Sequence, residues 1–125
     1  MQSVKFTGDH EWLLAGEGNI ITVGITDYAQ QQLGDIVYVE LPPVGQVIAA
    51  GDEVVIIESV KAAGDIKSPC AGTVTAINEQ LANAPETVNR DPLGAGWLFK
   101  LRVENAGVLD TLMDADAYRT HVEGL

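Results

Sequence analysis

The residues of this sequence that are best placed to do chemistry surround one lysine, Lys61. Two β-branched runs flank it, one opened by the turn residues Gly51 and Asp52 and the other by Pro69 and Gly72. If these runs pair as a hairpin, the lysine lies at its exposed tip. The residues beside the lysine have short side chains: Ser59, Ala62 and Ala63. The pattern therefore predicts an amino group that the active site of another enzyme can reach.

A solvated position at the end of a strand is the ordinary explanation for an exposed lysine, because lysine side chains are seldom buried. Lys61 differs from an arbitrary lysine in its position. It is one of four lysines in an acidic chain, and it is centred between matching strands and turns. Covalent modification of Lys61 is therefore the functional hypothesis, and a solvated strand end is the alternative.

The charge of the chain is strongly negative. Seven Lys and Arg residues stand against 18 Asp and Glu residues, which gives a formal net charge of −11 at pH 7. Phosphate backbones and anionic lipid surfaces would be repelled by most of such a surface. We therefore expect no nucleic-acid partner and no membrane association, whereas basic docking patches on protein partners would be attracted.

Length and composition favour one soluble domain over residues 1–125. Apolar residues make up 46% of the chain, which is enough to bury a core. The only cysteine, Cys70, cannot form an intramolecular disulfide, and His10 and His121 are a poor supply of metal ligands, so no metal is expected. Residues 1–6 contain no apolar signal core. We expect a monomer in the reducing cytoplasm of a bacterial-type cell.

The elements that must position the lysine are mainly strands. Short β-branched runs separated by Gly, Pro and Asp are typical of an antiparallel sandwich or barrel. Glycines in the segment 15–18 predict a hairpin turn, and residues 81–96, which show no period, are predicted to form a long surface loop. The predicted strands outside the lysine hairpin are 11–14, 19–23, 35–41 and 97–103.

Two helices are predicted. Thr26 can cap a short helix over residues 27–33, which Gly34 can end in the left-handed conformation. Asp114 can cap a C-terminal helix that we expect to pack on the sheets as a lid. The residues that would share its buried face are Ala115, Tyr118 and Val122.

Several conspicuous residues are interpreted as structural. Cys70 follows a proline at a strand entry and is expected to be a small core residue rather than a nucleophile. His10 is expected to make a structural hydrogen bond. Trp12 and Trp97 are interpreted as core aromatics, since the acidic field argues against a platform for stacking nucleic-acid bases. The run 89–92 is interpreted as a turn.

The lysine segment resembles a known family, the H-protein of the glycine cleavage system, whose lysine is lipoylated within a Glu-Ser-Val-Lys-Ala motif. The motif residues here are Glu58, Ser59, Val60, Lys61 and Ala62. Biotin carriers have Met on both sides of the lysine, and lipoyl domains of 2-oxoacid dehydrogenases have Asp-Lys-Ala, so both are disfavoured. Further matching blocks follow the family's order along almost the whole chain: 9–12, 23–30, 33–37, 39–42 and 96–98.

This resemblance implies a fold and a cofactor. The implied fold is mainly β, a biotinyl- or lipoyl-carrier-like sandwich (barrel-sandwich hybrid) of antiparallel strands with a short internal helix and a C-terminal helix. Lys61 would form an amide with lipoic acid, as N6-lipoyllysine, and the formal charge would change from −11 to −12. The protein would not be an enzyme, because the chemistry belongs to the cofactor and to the partner enzymes.

The resemblance also implies a reaction cycle with several partners. The arm would be loaded with the aminomethyl group of glycine by a pyridoxal-phosphate decarboxylase, the P-protein. A folate-dependent aminomethyltransferase, the T-protein, would unload it, and dihydrolipoyl dehydrogenase, the L-protein, would reoxidise the dithiol. A lipoate ligase or lipoyl transferase would attach the cofactor. Tethering would raise the effective concentration of the cofactor at each partner.

The loaded arm carries an amine expected to be cationic, which a cleft lined by carboxylates would hold. By resemblance to the family, Glu11 and Asp65 are the candidates for this cleft, and exclusion of water would slow hydrolysis of the loaded arm. The alternative is that both are solvated surface acids. The departures from the family's pattern are Asp9 and Gly64, where Ser is common, and Lys67, where an uncharged residue is frequent.

Other functions stay open at this point. A small hydrolase or transferase would need paired carboxylates, a Ser-His-Asp set or a metal cluster, and no such set supports it in the sequence. A carrier-like scaffold that is never modified would act by protein binding alone. Within the carriers, a relay that passes lipoyl groups to other proteins and a paralogue that serves a different substrate are further alternatives.

Overall fold

Two antiparallel β-sheets make up most of the structure, a computed structural model that describes residues 4–104 and 106–125. One sheet has the strand order β1-β2-β3-β9-β8-β5, and the other has the order β4-β6-β7. The strands are β1 (Lys5–Phe6), β2 (Glu11–Ala15), β3 (Ile20–Ile25), β4 (Ile36–Glu40), β5 (Val47–Ile48), β6 (Glu53–Ser59), β7 (Ala63–Lys67), β8 (Gly72–Ile77) and β9 (Phe99–Arg102). The expected mainly β architecture of antiparallel strands is confirmed. Residues 1–3, which begin the segment expected to lack a signal core, lie outside the described residues.

Helices are few and short. The α-helices are α1 (Asp27–Leu33), α2 (Thr87–Arg90) and α3 (Ala115–Glu123), and 3₁₀ turns occur at Glu17–Asn19, Glu79–Ala82 and Ala106–Thr111. The internal and C-terminal helices predicted from the sequence are therefore present, as α1 and α3. None of the helices in the described part of the chain has the length and apolarity needed to span a lipid bilayer.

Local signals determine where α1 begins and ends. The Thr26 hydroxyl accepts a hydrogen bond from the Ala29 amide, which satisfies one of the free N–H groups of the first turn. At the other end Gly34 has φ 81°, in the left-handed region that favours glycine. The cap and the stop both stand where the sequence predicts them.

The two sheets share one apolar core. In β6 and β9 buried residues alternate with more exposed ones, as expected for sheets with one buried face. Tight packing continues into the hairpin of β2 and β3, where a Cβ on Gly24 would lie 2.5 Å from Nε1 of Trp12. The buried core residues include Leu13, Ile21, Val23, Val55, Ile57, Val74, Phe99 and Leu101.

Helix α3 packs on β1 through aromatic residues. The rings of Phe6 and Tyr118 stack with centroids 4.6 Å apart, and Trp12 belongs to the same buried cluster. Tyr118 is buried and Val122 is half-buried, as predicted, but Ala115 is exposed. The prediction for Ala115 was wrong because the first turn of α3 lies beside a surface groove instead of over the sheet.

The segment 81–96, predicted as a surface loop, is partly ordered and buried. It includes α2 and the end of a 3₁₀ turn, and the side chains of Leu81 and Val88 are fully buried. The loop prediction was wrong in this respect because helical turns of four residues are too short to show a hydrophobic period. The segment also covers the indole of Trp12, whose Nε1 donates to the Pro92 carbonyl at 2.9 Å.

Candidate functional site

Lys61 lies in the tight turn that joins β6 to β7. These strands pair antiparallel, with Glu58 opposite Ala63 as the last pair before the turn. Beyond that pair the Ser59 amide donates to the Ala62 carbonyl at 2.7 Å, so only Val60 and Lys61 remain in the loop. A two-residue loop leaves its side chains little neighbouring chain to pack on, and both are exposed.

The side chain of Ser59 closes this turn. Its hydroxyl accepts a hydrogen bond from the Ala62 amide at 3.0 Å and donates to the Ala62 carbonyl at 3.1 Å. From the sequence, Ser59 is notable as a motif residue with a short side chain. Its second property, a hydroxyl that can bond to backbone groups three residues ahead, is a known feature of serine in turns and was the available signal.

The amino group of Lys61 has no ion-pair partner among residues 4–104 and 106–125. Val60 beside it is 70% exposed, and Ala62 and Ala63 on the other side are exposed and small. An amide formed at this nitrogen would neither break a salt bridge nor leave a buried charge behind. The residues present therefore fit a covalently attached lipoyl group.

The turn rests on the segment that follows α1. The Val60 amide donates to the Asp35 carbonyl at 3.0 Å. The carbon stem of Lys61 lies over Gly34, where an added Cβ would be 3.1 Å from Cε of the lysine. Gly34 thus has two roles, since it ends α1 and leaves space for the stem.

Glu11 and Asp65 lie together at one cleft of about 240 Å³. Glu11 is the first residue of β2 in the six-stranded sheet, whereas Asp65 is in the middle of β7 in the three-stranded sheet. The cleft therefore forms where residues of the two sheets meet. The other residues that line it are Asp9, Ile66 and Lys67. Two of these, Asp9 and Lys67, are departures from the family's pattern.

Glu11 is buried, with 4% of its surface exposed. Burial raises the pKa of its carboxyl group to about 7, because loss of water disfavours the charged form. The hydrogen bond from the Thr7 hydroxyl, at 3.1 Å, and the charge of Lys67 lower this pKa, while the charge of Asp9 raises it. The sequence did not indicate that Thr7 bonds to Glu11. The available signal was its position four residues before Glu11, which a turn can bring close to the carboxyl group.

Cys70 and His10 take structural positions. Cys70 is buried, and burial together with the charge of Glu11 raises the pKa of its thiol to about 11, which leaves it protonated at neutral pH. His10 has a left-handed backbone (φ 70°), and its Nδ1 is 2.7 Å from the hydroxyl of Tyr118. Burial and the neighbouring His121 lower the pKa of His10, against a smaller opposing effect of Asp9.

The two tryptophans differ in their burial. Trp12 is 2% exposed and belongs to the core, as predicted. Trp97 is half-buried, packs against the cluster that contains Trp12, and has the ammonium of Lys100 5.4 Å from the centre of its ring. Both tryptophans are therefore packing residues, and the ammonium of Lys100 lies over the ring of Trp97.

Comparison with known proteins places these features in a family context. Residues 4–124 match the family model described as glycine cleavage H-protein. A glycine cleavage system H protein of Parvibaculum lavamentivorans is 50% identical over 125 residues, 100% of this chain and 99% of that protein. One of Neisseria meningitidis serogroup A is 52% identical over 120 residues, 96% and 94% of the two chains. The crystal structure of a glycine cleavage system H protein from Mycobacterium marinum superposes with a TM-score of 0.86, 34% identity and 98% coverage of both chains.

Proposed function

The chain belongs to the glycine cleavage H-protein family, and on that premise we propose that Lys61 is the residue to which its lipoyl group is attached. The family's role is that of a lipoyl carrier in the glycine cleavage system, and this chain has that role. It is a cofactor-carrying component and not a catalyst. When attached, the lipoyl group supplies a disulfide that becomes reduced as it accepts the aminomethyl group derived from glycine.

The observation that carries the assignment of Lys61 is its exposed side chain on a closed two-residue turn, free of ion pairs within the described residues. The neighbouring residues Glu58, Ser59, Val60 and Ala62 complete the motif. Their roles differ: Ser59 closes the turn, Val60 joins it to Asp35, and Glu58 is exposed at the end of β6. An acylating enzyme would therefore find a rigid turn with one protruding amine.

The partners follow from the same proposal. The family's system implies other components of glycine cleavage, which we identify by class as the pyridoxal-phosphate P-protein, the folate-dependent T-protein and the dihydrolipoyl dehydrogenase, with a lipoate ligase or lipoyl transferase for attachment. The apolar core shared by both sheets supports a single domain over residues 1–125. A monomeric state and a cytoplasmic location stay predictions.

For the cleft, we propose that Glu11 and Asp65 hold the cationic amine of the loaded arm. Asp65 is four residues beyond Lys61, and because the first of these residues are still in the turn, the two are at most about 13 Å apart along the chain. Ionisation of Glu11 would be favoured by the incoming ammonium, because an opposite charge stabilises a carboxylate that burial disfavours. Lys67 lines the same cleft, so its ammonium competes with the amine of the arm for these carboxylates.

The attachment site is tested by intact-mass measurement. We expect the unmodified protein, incubated with lipoate ligase, ATP and lipoate, to gain the mass of one lipoyl amide. Lys61→Arg should abolish this gain, because arginine keeps the charge but is not acylated. Lys67→Arg, on the same hairpin, is the matched control and should be modified like the wild type. Modification of Lys61→Arg, or none of the wild type, would remove the basis of the assignment.

The cleft is tested by the lifetime of the loaded form, measured at about pH 8, where a carboxyl group of pKa about 7 is mostly ionised. Glu11→Gln and Asp65→Asn should shorten the lifetime severalfold without affecting lipoylation. Lys67→Gln should lengthen it, because a competing cation is removed. Arg119→Gln, which removes one charge from the exposed face of α3, is the control. Lifetimes that are equal in all variants would contradict the proposed role of the cleft.

A further inference from the structure

Asn89 lies in α2 and not in the turn expected over residues 89–92, and its side chain joins the end of α1 to the start of β4. Its side-chain Oδ1 accepts a hydrogen bond from the Ile36 amide at 2.8 Å. Its Nδ2 donates to the side chain of Gln30 at 2.8 Å and to the carbonyl of Gly34 at 2.9 Å. One amide group thus holds both ends of the segment 34–36, whose last residue, Ile36, also pairs with Ser59 of β6.

The same segment supports the turn that bears the lysine. Asp35, between the two residues bonded to Asn89, accepts the hydrogen bond of the Val60 amide, and Gly34 lies under the stem of Lys61. The contacts therefore run without a gap from Asn89 through residues 34–36 to Val60 and Lys61. Asn89 itself touches neither residue of the loop, so its effect on the lysine is transmitted through this segment.

We propose that Asn89 is a positioning residue for Lys61: by clamping residues 34–36 it keeps the lysine turn in the conformation that the lipoyl-attaching enzyme binds. This inference rests on the proposed attachment at Lys61. A two-residue loop with both side chains exposed has few contacts of its own. The hydrogen bond from the Val60 amide to the Asp35 carbonyl therefore contributes to holding the loop against the rest of the molecule. Without the clamp, the turn would spend part of its time in other conformations.

The expected effect follows from the population of the competent conformation. An enzyme that binds only one conformation of its substrate has an apparent affinity reduced by the fraction of molecules in that conformation. Asn89 makes three hydrogen bonds, and the loss of each lowers the equilibrium constant for the competent conformation by about fivefold. Together these losses can reduce a dominant conformation to roughly a fifth to a tenth of the molecules. The acylation step itself should proceed unchanged once the turn is bound. The KM for this protein should therefore rise while kcat stays constant.

The experiment compares Asn89→Ala with Asn78→Ala in the lipoate ligase reaction, using the full chain as acceptor. Asn78 is the matched control because its side-chain amide also donates to two backbone carbonyls, those of Ala95 and Trp97, both at 2.8 Å. None of its hydrogen bonds reaches residues 34–36. We expect Asn89→Ala to raise KM about fivefold to tenfold with kcat within about twofold of wild type, and Asn78→Ala to leave KM unchanged.

A second pair of variants tests the contact under the lysine. Gly34→Ala places a Cβ 3.1 Å from Cε of Lys61 at a residue with φ 81°, so the stem must move. Gly51→Ala is the control, because Gly51 has φ 89° and an added Cβ meets nothing within 4 Å. Both alanines suffer the same kind of backbone strain, but only Gly34→Ala should raise KM for the lysine substrate.

Amide hydrogen exchange separates failure of this inference from failure of the proposed function. The Val60 amide is two contacts away from Asn89, and its exchange should be faster in Asn89→Ala but not in Asn78→Ala, whether or not Lys61 is a substrate. If the wild type is not lipoylated, the proposed attachment at Lys61 fails. The exchange rate of the Val60 amide then tests by itself whether Asn89 restrains the lysine turn. Unchanged exchange of Val60, or an unchanged KM in a protein that is lipoylated, would overturn the inference.

Discussion

Glu11 is a carboxylic acid that folding removes from water, and this has a consequence for stability. Burial raises its pKa in the folded protein to about 7, from an ordinary value of 4.5. At a pH between these two pKa values, Glu11 is protonated more often in the folded state than in the unfolded state. Stability should therefore fall as the pH rises from about 5 to about 7 and then level off, with a loss of up to about 3 kcal/mol from this residue.

The measurement is urea unfolding at a series of pH values. In Glu11→Gln the side chain cannot ionise, so the part of the pH dependence that comes from this residue should disappear, and the variant should be more stable than the wild type above about pH 7. Glu123→Gln, an exposed position on α3, is the control and should keep the wild-type profile. An unchanged profile in Glu11→Gln would show that the buried carboxyl group does not titrate in this range.

Individual residues were predictable from the sequence to the extent that their partners are close in the chain. Lys61 and the motif around it could be proposed from the sequence because the motif is contiguous and turn residues precede the strand before it. The roles of Asn89 and Thr7 were not found. Asn89 binds residues 53 to 59 positions away, and no local pattern encodes such a contact. Glu11 and Asp65 were named by resemblance alone, and only folding brings them to one cleft.

Among the elements, those with signals at both ends were predicted well. Thr26 and Gly34 mark the two ends of α1, and Asp114 caps α3 by accepting from the Ala117 amide at 2.8 Å. In the lysine hairpin, β6 was predicted by the turn residues before it, but the second strand was wrong. The run opened by Pro69 and Gly72 is β8, which pairs with β5 and β9 in the six-stranded sheet, and the strand that returns from the lysine is β7. In contrast, α2 has four residues and no side-chain cap, so neither periodicity nor capping could indicate it.

One hydroxyl group adds polar contacts to the aromatic packing that attaches α3 to the sheets. The hydroxyl of Tyr118 is 2.7 Å from Nδ1 of His10 and 2.8 Å from the hydroxyl of Thr26, and thus joins α3 to the turn before β2 and to the cap of α1. Tyr118→Phe should keep the stacking on Phe6 but lose both bonds. We expect a loss of about 1–3 kcal/mol in the free energy of unfolding, since the half-buried ring of His10 and the buried hydroxyl of Thr26 each lose a hydrogen-bond partner.

Urea unfolding of Tyr118→Phe measures this loss, and Tyr38→Phe is the matched control. The hydroxyl of Tyr38 is exposed on β4 and bonds only to the exposed Glu40, so its removal should change stability by less than about 0.5 kcal/mol. Amide exchange across α3 should accelerate more than exchange in β6 if the hydroxyl fastens this helix. Equal stabilities of the two variants would refute that view.

At the scale of the whole molecule, the architecture provides a fixed support for a short turn. The three strands β4, β6 and β7 form one layer, and the core between it and the six-stranded sheet fixes their positions. The class of this architecture was predictable from short runs and turns. The order β1-β2-β3-β9-β8-β5 was not, because β3 pairs with β9 across most of the chain, and pairing over such distances leaves no local signal.

The net charge of the whole molecule should affect its encounters with the enzymes of its system. The formal charge of −11 becomes −12 when an amide replaces one ammonium. Attraction between such a field and basic docking patches speeds association, and added salt weakens it, because the Debye length falls from about 10 Å at 0.1 M to about 3 Å at 1 M. In reconstituted glycine decarboxylation, the KM for this protein should therefore rise with salt while kcat changes little.

Charge variants show which part of the surface is responsible. Asp35 and Glu58 are exposed beside the lysine turn, whereas Asp110 and Glu123 are exposed in the C-terminal segment. The double variant Asp35→Asn/Glu58→Gln and the double variant Asp110→Asn/Glu123→Gln change the net charge equally. If partners dock around the lysine turn, the first should flatten the salt dependence of KM more than the second, because charges farther from the docking site than the Debye length of about 10 Å are already largely screened at 0.1 M salt. Equal slopes would mean that only the total charge matters, and a KM independent of salt would exclude electrostatic steering.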